Sequence, residues 1–301
     1  MIKSVSVINH LGEKMEMELR NPDSSGFLIS SIDGLGPGQA EISVTDLAAT
    51  DGSVYNSARL TNRNIVLNLL FQADPTIEDT RQKTYKFFPL KKNVILIFET
   101  DNRSLQIEGY VESNEPDIFS DQEGTSISII CPNPFFYSLG SNLTVFNGVE
   151  PMFEFPFSNE SLTESLLVFS ELRTKYENVI FYQGDADTGF VMKIHFVGPA
   201  SGISIYNVKS REIMKIDTTK IASIVGSAIK AADDLEISTI TGKKHLTFYR
   251  EGKAYNVLNS LARDSSWLKL TNGENVIAFT AEEGEHNLQF EVYNDVLFEG
   301  V

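Results

Sequence analysis

Apolar and polar residues alternate along most of the first 131 positions of the chain. The alternating runs lie at residues 3–9, 15–19, 27–32, 65–71, 104–111 and 125–131, and a more apolar run lies at 93–99. A period of two places successive side chains on opposite faces of a strand, so each run predicts a β-strand. Residues 3–9 and 15–19 predict a hairpin around Leu11 and Gly12, and the whole region predicts an antiparallel sheet.

One segment of this half follows the helical period instead. Thr76 and Asp79 match the start of a capping box, and Pro89 marks the end of the segment. At helical spacing, three apolar side chains fall on one side and predict the buried face of the helix: Ile77, Tyr85 and Phe88.

Residues 34–62 form a long polar stretch between predicted strands, with the glycine-bearing GLGPGQ at its start and the strand-like AEISVTDL after it. Loops of this length in compact domains are usually functional or disordered. Because the stretch holds few apolar groups to offset the entropy of ordering it, we expect a neighbouring molecule to order it. Gly34, Gly36 and Gly38 favour a hinge over a phosphate cradle, since no predicted helix N-terminus follows them.

From residue 140 onward the pattern changes to short strands separated by turns, which is typical of a β-sandwich. Residues 221–232 fit both periods, and we favour a helix there. The proline and aromatic residues of CPNPFFY, at 131–137, predict a seam between two domains, 1–139 and 140–301. The predicted strands of the second half lie at 143–146, 166–169, 179–182, 190–197, 203–208, 235–240, 246–249, 276–281 and 288–293.

The composition excludes several classes of protein. The net charge is −16, with 25 basic against 41 acidic residues, which argues against nucleic-acid binding. Cys131 is the single cysteine and lies among apolar residues, so we expect a buried thiol, no disulfide and a reducing compartment. No apolar run approaches 18 residues and the N-terminus resembles a strand, which predicts a soluble protein without a membrane span or signal peptide.

Candidate chemistry is sparse. Asp185 and Asp187 in GDADTG have the spacing that begins a calcium loop, but no glutamate closes it, so we interpret the segment as a turn. With 41 acidic residues, chance carboxylate pairs carry no information about glycosidase activity. No nucleophile motif is present, and we predict neither catalysis nor a metal or other cofactor. The four histidines show no metal-ligand spacing and are interpreted as structural or surface residues: His10, His195, His245 and His286.

Trp267 is the one aromatic residue that suggests a sugar-stacking platform. Leu268 and Leu270 lie beside it, and we therefore favour a core or rim position over sugar contact.

Three segments resemble the distal tail protein (Dit) family of long-tailed, siphophage-type bacteriophages: IEGYVESNEPDIFSDQEGTSISIICPNPFFYS, DTRQKTYKFFPLKKNVILIFETDNR and the closing WLKLTNGENVIAFTAEEGEHNLQFEVYNDVLFEGV. The resemblance implies a mainly β fold. Its first domain would be β-sandwich-like, with one α-helix and an extended arm, and its second a galectin-like or carbohydrate-module-like β-sandwich.

The same resemblance implies a structural role in the virion tail tip, after folding in the host cytoplasm. Domain 1–139 would build a hexameric ring, and 140–301 would be peripheral. The implied partners are the tail tube protein, the tail-tip protein and receptor-binding proteins, with no membrane or stable nucleic acid. Residues 34–62 would embrace the next subunit, where we expect Arg59 and Arg63 to pair with Asp46 or Asp51, near Tyr55. The rival hypothesis is a carbohydrate-binding adhesin that acts through the second domain on host wall polymers.

Overall fold

A computed structural model describes residues 1–48, 50–151, 170–174 and 176–301. The strand predicted at 166–169 lies outside the described residues. The chain divides into two compact units: unit 1 comprises Met1–Gly140 and Leu297–Val301, and unit 2 comprises Ser141–Val296. Among the described residues, neither helix is long and apolar enough to cross a bilayer.

Unit 1 is built from strands and one helix, which in chain order are β1 (Ile2–Ile8), β2 (Lys14–Glu18), β3 (Phe27–Asp33), β4 (Ala40–Asp46), β5 (Ser53–Leu60), β6 (Arg63–Phe71), α1 (Ile77–Phe87), β7 (Asn93–Thr100), β8 (Ser104–Asp117), β9 (Gly124–Cys131) and β10 (Phe136–Ser138). Unit 2 follows with β11 (Asn142–Val145), β12 (Asn147–Pro151), β13 (Ser170–Thr174), β14 (Glu177–Tyr182), β15 (Val191–Phe196), β16 (Ile203–Asn207), β17 (Glu212–Ile216), α2 (Thr218–Val225), β18 (Asp233–Ser238), β19 (His245–Arg250), β20 (Lys253–Asn256), β21 (Gly273–Thr280) and β22 (Leu288–Asn294). The last strand, β23 (Leu297–Phe298), returns to unit 1.

The main sheet of unit 1 is antiparallel, in the order β2-β1-β7-β8-β9-β6-β3. The long strand β8 pairs with β7 through residues 104–110 and with β9 through residues 110–117. A register shift between Val111 and Ser113 lies near this change of partner. Gly109 lies on β8 where a side chain has no room: a Cβ there would be 2.6 Å from Ile129 Cγ2 and 2.8 Å from Cys131 Sγ. The glycine of the IEGY motif thus permits close packing against β9.

The proline and aromatic segment after β9 belongs to the core of unit 1. Phe136 is fully buried and meets Phe98 edge to face, with ring centroids 5.8 Å apart. Strand β10 pairs with both β8 and β23. The prediction of a seam formed by these aromatic residues is therefore wrong for Phe136, which packs inside unit 1.

The C-terminal residues also differ from the predicted division, which assigned all of 140–301 to the second domain. Leu297–Val301 belongs to unit 1 because β23 pairs with β10, and the Val301 amide donates to the Leu35 carbonyl at 3.1 Å. Arg103 adds a hydrogen bond to the Gly300 carbonyl at 3.2 Å.

Helix α1 begins as predicted, with the Thr76 side chain accepting from the Asp79 amide. Its predicted buried face is wrong for Ile77 and Tyr85, which are 39% and 43% exposed. Thr80 and Thr84 are buried instead. The helix lies close to neighbouring backbone, where a small hydroxyl side chain fits and finds partners: Thr80 Oγ1 donates to the Gln72 carbonyl at 2.7 Å.

Unit 2 is a β-sandwich. A six-stranded sheet, β11-β22-β15-β18-β19-β20, faces a four-stranded sheet, β14-β21-β16-β17. Phe279 on β21 stacks on Phe290 on β22, with ring centroids 3.9 Å apart and planes at 23°, so the two inner faces form one core. The mainly β fold class predicted from the sequence is confirmed.

The helix predicted at 221–232 is shorter and begins earlier. Asp217 caps its N-terminus by accepting from the amides of Thr219 and Lys220. Gly226, with φ of 89°, ends it in the left-handed conformation that favours glycine. Residues after Gly226 lead into β18 without further helix.

Candidate assembly interface

Strands β4 and β5 form an arm, defined here as residues 40–60, that has no other strand in its sheet among the described residues. The strands pair antiparallel from Ala40 opposite Leu60 to Asp46 opposite Ser53. Every residue of β4 is exposed, and so is every residue of β5 except Leu60. The arm is thus an antiparallel pair of strands whose residues are almost all exposed.

The register gives the arm one apolar face. Residues opposite each other in an antiparallel pair share a face. Ile42 lies opposite Ala58, and Val44 lies opposite Tyr55, with a register shift between these two pairs. Ile42, Val44 and Tyr55 are 61%, 51% and 63% exposed. The apolar face consists of Ala40, Ile42, Val44, Tyr55, Ala58 and Leu60. The expectation that this stretch holds few apolar groups is therefore wrong.

The opposite face of the arm is polar and satisfies its own groups. Arg59 Nη2 lies 2.7 Å from Glu41 Oε2, and Arg59 Nε donates to the same oxygen at 2.8 Å. Asn56 Nδ2 donates to Thr45 Oγ1 at 2.7 Å. Arg59 therefore pairs with Glu41 in its own hairpin, whereas the sequence predicts a pair with Asp46 or Asp51 of a neighbour. These polar side chains thus find their partners within the hairpin itself.

Arg63 lies at the root of the arm and is only 5% exposed. Its guanidinium donates to four backbone carbonyls of its own chain: Gly34 at 2.5 Å, Pro134 at 2.6 Å, Glu299 at 2.7 Å, and Gly36. The guanidinium carbon also lies 4.7 Å from the centre of the Phe136 ring. Burial lowers the pKa of Arg63, as expected for a desolvated cation. Arg63 thus connects the root of the arm to Phe136 of β10 and to the C-terminal residues of its own chain.

The glycine-bearing loop before the arm has a structural role. Gly34 has φ of 87°, and a Cβ there would overlap the Asn64 carbonyl. The carbonyls of Gly34 and Gly36 point at the Arg63 guanidinium. A phosphate cradle presents amides to an anion, whereas this loop presents carbonyls to a cation.

The fold has a known counterpart among solved structures. The Dit protein (gp 19.1) of SPP1, described as a paradigm of the hub adsorption apparatus in phages that infect Gram-positive bacteria, aligns over 98% of this chain and 99% of that one, with a TM-score of 0.65 and 12% identity. This chain has the Dit fold. Two structures of the phage P2 baseplate in its activated conformation, with Ca and with Sr, align over 98% and 97% of both chains, at TM-scores of 0.47 and 0.45 and identities of 8% and 9%. No protein-family model and no curated protein matches the chain.

The remaining residues singled out from the sequence make local contacts within unit 2. Tyr182 donates to the Ala186 carbonyl at 2.6 Å and closes the turn that carries Asp185 and Asp187. Among the described residues, no group of three or more acidic, histidine or cysteine side chains is arranged to hold a metal ion. Trp267 is half-buried, and the Lys244 ammonium lies 5.0 Å from the ring centre. The Lys244 ammonium thus covers one face of the Trp267 ring.

Cys131 is buried, as predicted. Burial raises the pKa of its thiol to about 12, even though the charge of Arg63 acts in the opposite direction. A thiol in this state is a poor nucleophile.

Two of the histidines have acidic partners that sequence analysis missed. His195 Nδ1 lies 2.6 Å from Asp234 Oδ1, and His245 Nε2 lies 3.0 Å from Glu236 Oε1. Each pair joins neighbouring strands of the six-stranded sheet. In the sequence, only the alternation of β15, β18 and β19 indicates that these four residues lie on the outer face of the six-stranded sheet. Which residues become neighbours on that face depends on the register between the strands.

Proposed function

We propose that this chain is a structural hub protein of a phage tail tip, and that six copies form a ring between the tail tube and the tip apparatus. The observation that carries the proposal is the arm, an ordered hairpin with an exposed apolar face on a chain of Dit fold. The likeness of the whole chain's fold to that of a phage hub protein, over nearly the full length of both chains, supports this role. The tail tube protein, a tail-tip protein and receptor-binding proteins are its proposed partners.

In this proposal, the apolar face of the arm docks on the next copy of the chain. Covering Ile42, Val44 and Tyr55, each about half exposed, contributes on the order of 1 kcal/mol apiece. Single contacts of this size are weak. In a closed ring each copy both gives and receives an arm, so the ring gains one such contact at every interface.

The charge of the chain fits a conduit for DNA. Each copy carries −16, so copies repel one another, and salt screens this repulsion beyond roughly 8 Å at 0.15 M. We therefore expect ring formation to strengthen as salt is added. Because the chain has fewer basic than acidic residues, it displaces few counterions from a DNA phosphate backbone, and we expect its affinity for DNA to be low. DNA could then pass through the ring without binding to it.

The arm offers a matched pair of variants for testing its role. Val44 and Val54 are 51% and 49% exposed, lie in the same hairpin, and belong to opposite faces. We expect Val44→Ser to shift the protein from hexamer towards monomer in light scattering coupled to size exclusion. Val54→Ser should leave the hexamer intact. Equal loss of assembly in both variants, or in neither, would contradict docking through the apolar face.

A further inference from the structure

The hairpin tip, defined here as residues 118–123 between β8 and β9, carries the most exposed large apolar side chain among the described residues. Phe119 is 95% exposed. The tip is nevertheless ordered by its own contacts, because the Phe119 amide donates to Asp117 Oδ1 at 3.3 Å and Ser120 Oγ donates to the Gln122 carbonyl at 2.7 Å. An aromatic ring that a folded turn presents to solvent is typical of an anchor for a partner's pocket.

The charges around the hairpin tip all have one sign. Residues 112–123 contain five acidic residues and no basic residue. Glu115, Asp117 and Asp121 are exposed. The chemistry that surrounds Phe119 therefore favours a partner surface that is apolar at its centre and basic at its edge.

A surface of that kind lies in the same unit, at the turn between α1 and β7. We call residues 89–92 the basic turn. Leu90 is 55% exposed, and Lys91 and Lys92 are exposed beside it. Tyr110 on β8 is 48% exposed and lies opposite Asn93, the residue that follows the turn. The basic turn thus combines apolar side chains with two adjacent ammonium groups.

Both ammonium groups of the basic turn are open to a partner. Lys83 and Lys86 of α1 pair with carboxylates of their own chain, whereas neither Lys91 nor Lys92 has an ion-pair partner among the described residues. The backbone of the turn is fixed, because the Lys91 amide donates to the Val111 carbonyl at 2.9 Å and the Val111 amide donates to the Lys92 carbonyl at 3.1 Å. Lys91 has φ of 63°, a conformation that is uncommon for a residue with a side chain.

The hairpin tip lies far from the basic turn of its own chain. The turn is bonded to Val111, and the tip begins after Asp117, six residues further along β8. Pairing with β9 keeps this part of β8 extended, so at about 3.4 Å per residue the two surfaces lie about 20 Å apart. A contact between them therefore joins two copies. Because the two surfaces differ, the contact is heterologous, the type that can close a ring.

We propose that the hairpin tip of one copy docks on the basic turn of the next copy in the ring. In this contact Phe119 packs against Leu90 and Tyr110, with a lysine ammonium over its ring, and the carboxylates of Glu115 and Asp121 approach the two lysines. Burial of the aromatic ring supplies most of the contact, and the charges orient the tip. The inference rests on the proposed ring and adds a second contact to that of the arm at every interface.

Sedimentation velocity of the full chain over a range of protein concentrations tests the anchor. We expect Phe119→Ser to need at least about tenfold more protein than the wild type to reach half assembly. Phe181→Ser is the matched control, because Phe181 is 60% exposed on β14 of unit 2, and it should assemble like the wild type. Near-ultraviolet circular dichroism checks that each variant is folded.

A charge exchange tests the pairing of the two surfaces. We expect Glu115→Lys with Asp121→Lys to weaken assembly, since these changes place ammonium groups opposite the basic turn. Lys91→Glu with Lys92→Glu should weaken it for the converse reason. All four changes in one chain restore opposite charges across the contact and should recover most of the assembly.

The outcomes separate this contact from the ring itself. A ring that Phe119→Ser leaves as stable as the Phe181→Ser control, or a fourfold variant that assembles no better than either charge variant, would overturn the contact and leave the ring standing. A wild type that stays at 33.5 kDa at every concentration would overturn the ring and this contact together.

Discussion

Replacing Arg63 is the sharpest test of how unit 1 holds its arm and its C-terminus. One buried guanidinium donates to carbonyls from three separate parts of the chain: the loop before the arm, Pro134 after β9, and Glu299 near the C-terminus. Arg63→Ala removes all of these donors at once. Arg63→Lys keeps the charge but presents a single ammonium, which cannot reach every carbonyl.

The magnitude follows from the contacts. Four carbonyls without a donor cost about 1 kcal/mol each at least, and the contact with the Phe136 ring adds about 1 kcal/mol. Removing a buried charge recovers part of its desolvation cost. We expect a net loss of about 3 kcal/mol for Arg63→Ala and about half of that for Arg63→Lys. For a unit of this size, 3 kcal/mol lowers Tm by roughly 10 °C.

Differential scanning calorimetry measures the shift, and hydrogen exchange locates it. In Arg63→Ala the amide of Val301, which donates to the Leu35 carbonyl, should exchange faster than in the wild type. Arg59→Ala is the control, since its ion pair with Glu41 is exposed, and its Tm should stay within about 2 °C of the wild type. A Tm for Arg63→Ala as close to the wild type as that of the control would show that the Arg63 hydrogen bonds do not stabilise unit 1.

Three further predictions concern ionisation, charge and folding. Cys131, whose pKa burial raises to about 12, should react with a thiol reagent at pH 8 only after the protein is unfolded; rapid labelling of the native protein would contradict its burial. Burial alone would raise the pKa of Asp233, but the hydrogen bonds from Arg250 at 2.7 Å and 2.5 Å, the hydrogen bond from the Lys230 amide at 2.8 Å and the charges of both residues together outweigh burial and lower the pKa. These contacts therefore stabilise unit 2 above the unfolded pKa of about 3.9, and the effect is lost as pH falls through the folded value. Asp233→Asn should therefore show a weaker dependence of Tm on pH below about 5, and an unchanged slope would contradict the assignment. Residues 141–296 should unfold cooperatively when expressed alone, whereas a fragment without a thermal transition would show that unit 2 is not autonomous.

The strands were largely predictable because each buries one face, and burial imposes a period of two on the sequence. Two of the strands that escaped have weak patterns. β23 is only two residues long, and β20 (KAYN) is mostly exposed. The face of α1 was misjudged because Thr80 and Thr84 count as polar in any hydropathy pattern, although their hydroxyls bond locally and their small size permits close packing.

The candidate sites depended on register, which the sequence does not display. The apolar face of the arm shows no regular alternation on β5, because the shift between Ser43 and Val44 places Tyr55 and Ala58 on the same side. The carbonyl partners of Arg63 come from positions as far apart as Gly34 and Glu299. Every residue has a backbone carbonyl, so the sequence does not indicate which ones accept from Arg63. The acidic partners of His195 and His245 were hidden for the same reason, since they lie on a neighbouring strand.

The proposed function depends above all on the ring. Native mass spectrometry of the purified full chain, over a salt series and beside negative-stain images, detects it without variants. We expect a particle of six times 33.5 kDa, with six-fold class averages, whose fraction rises with salt. A particle of 33.5 kDa at every salt and protein concentration, seen as isolated single copies in the images, would contradict it.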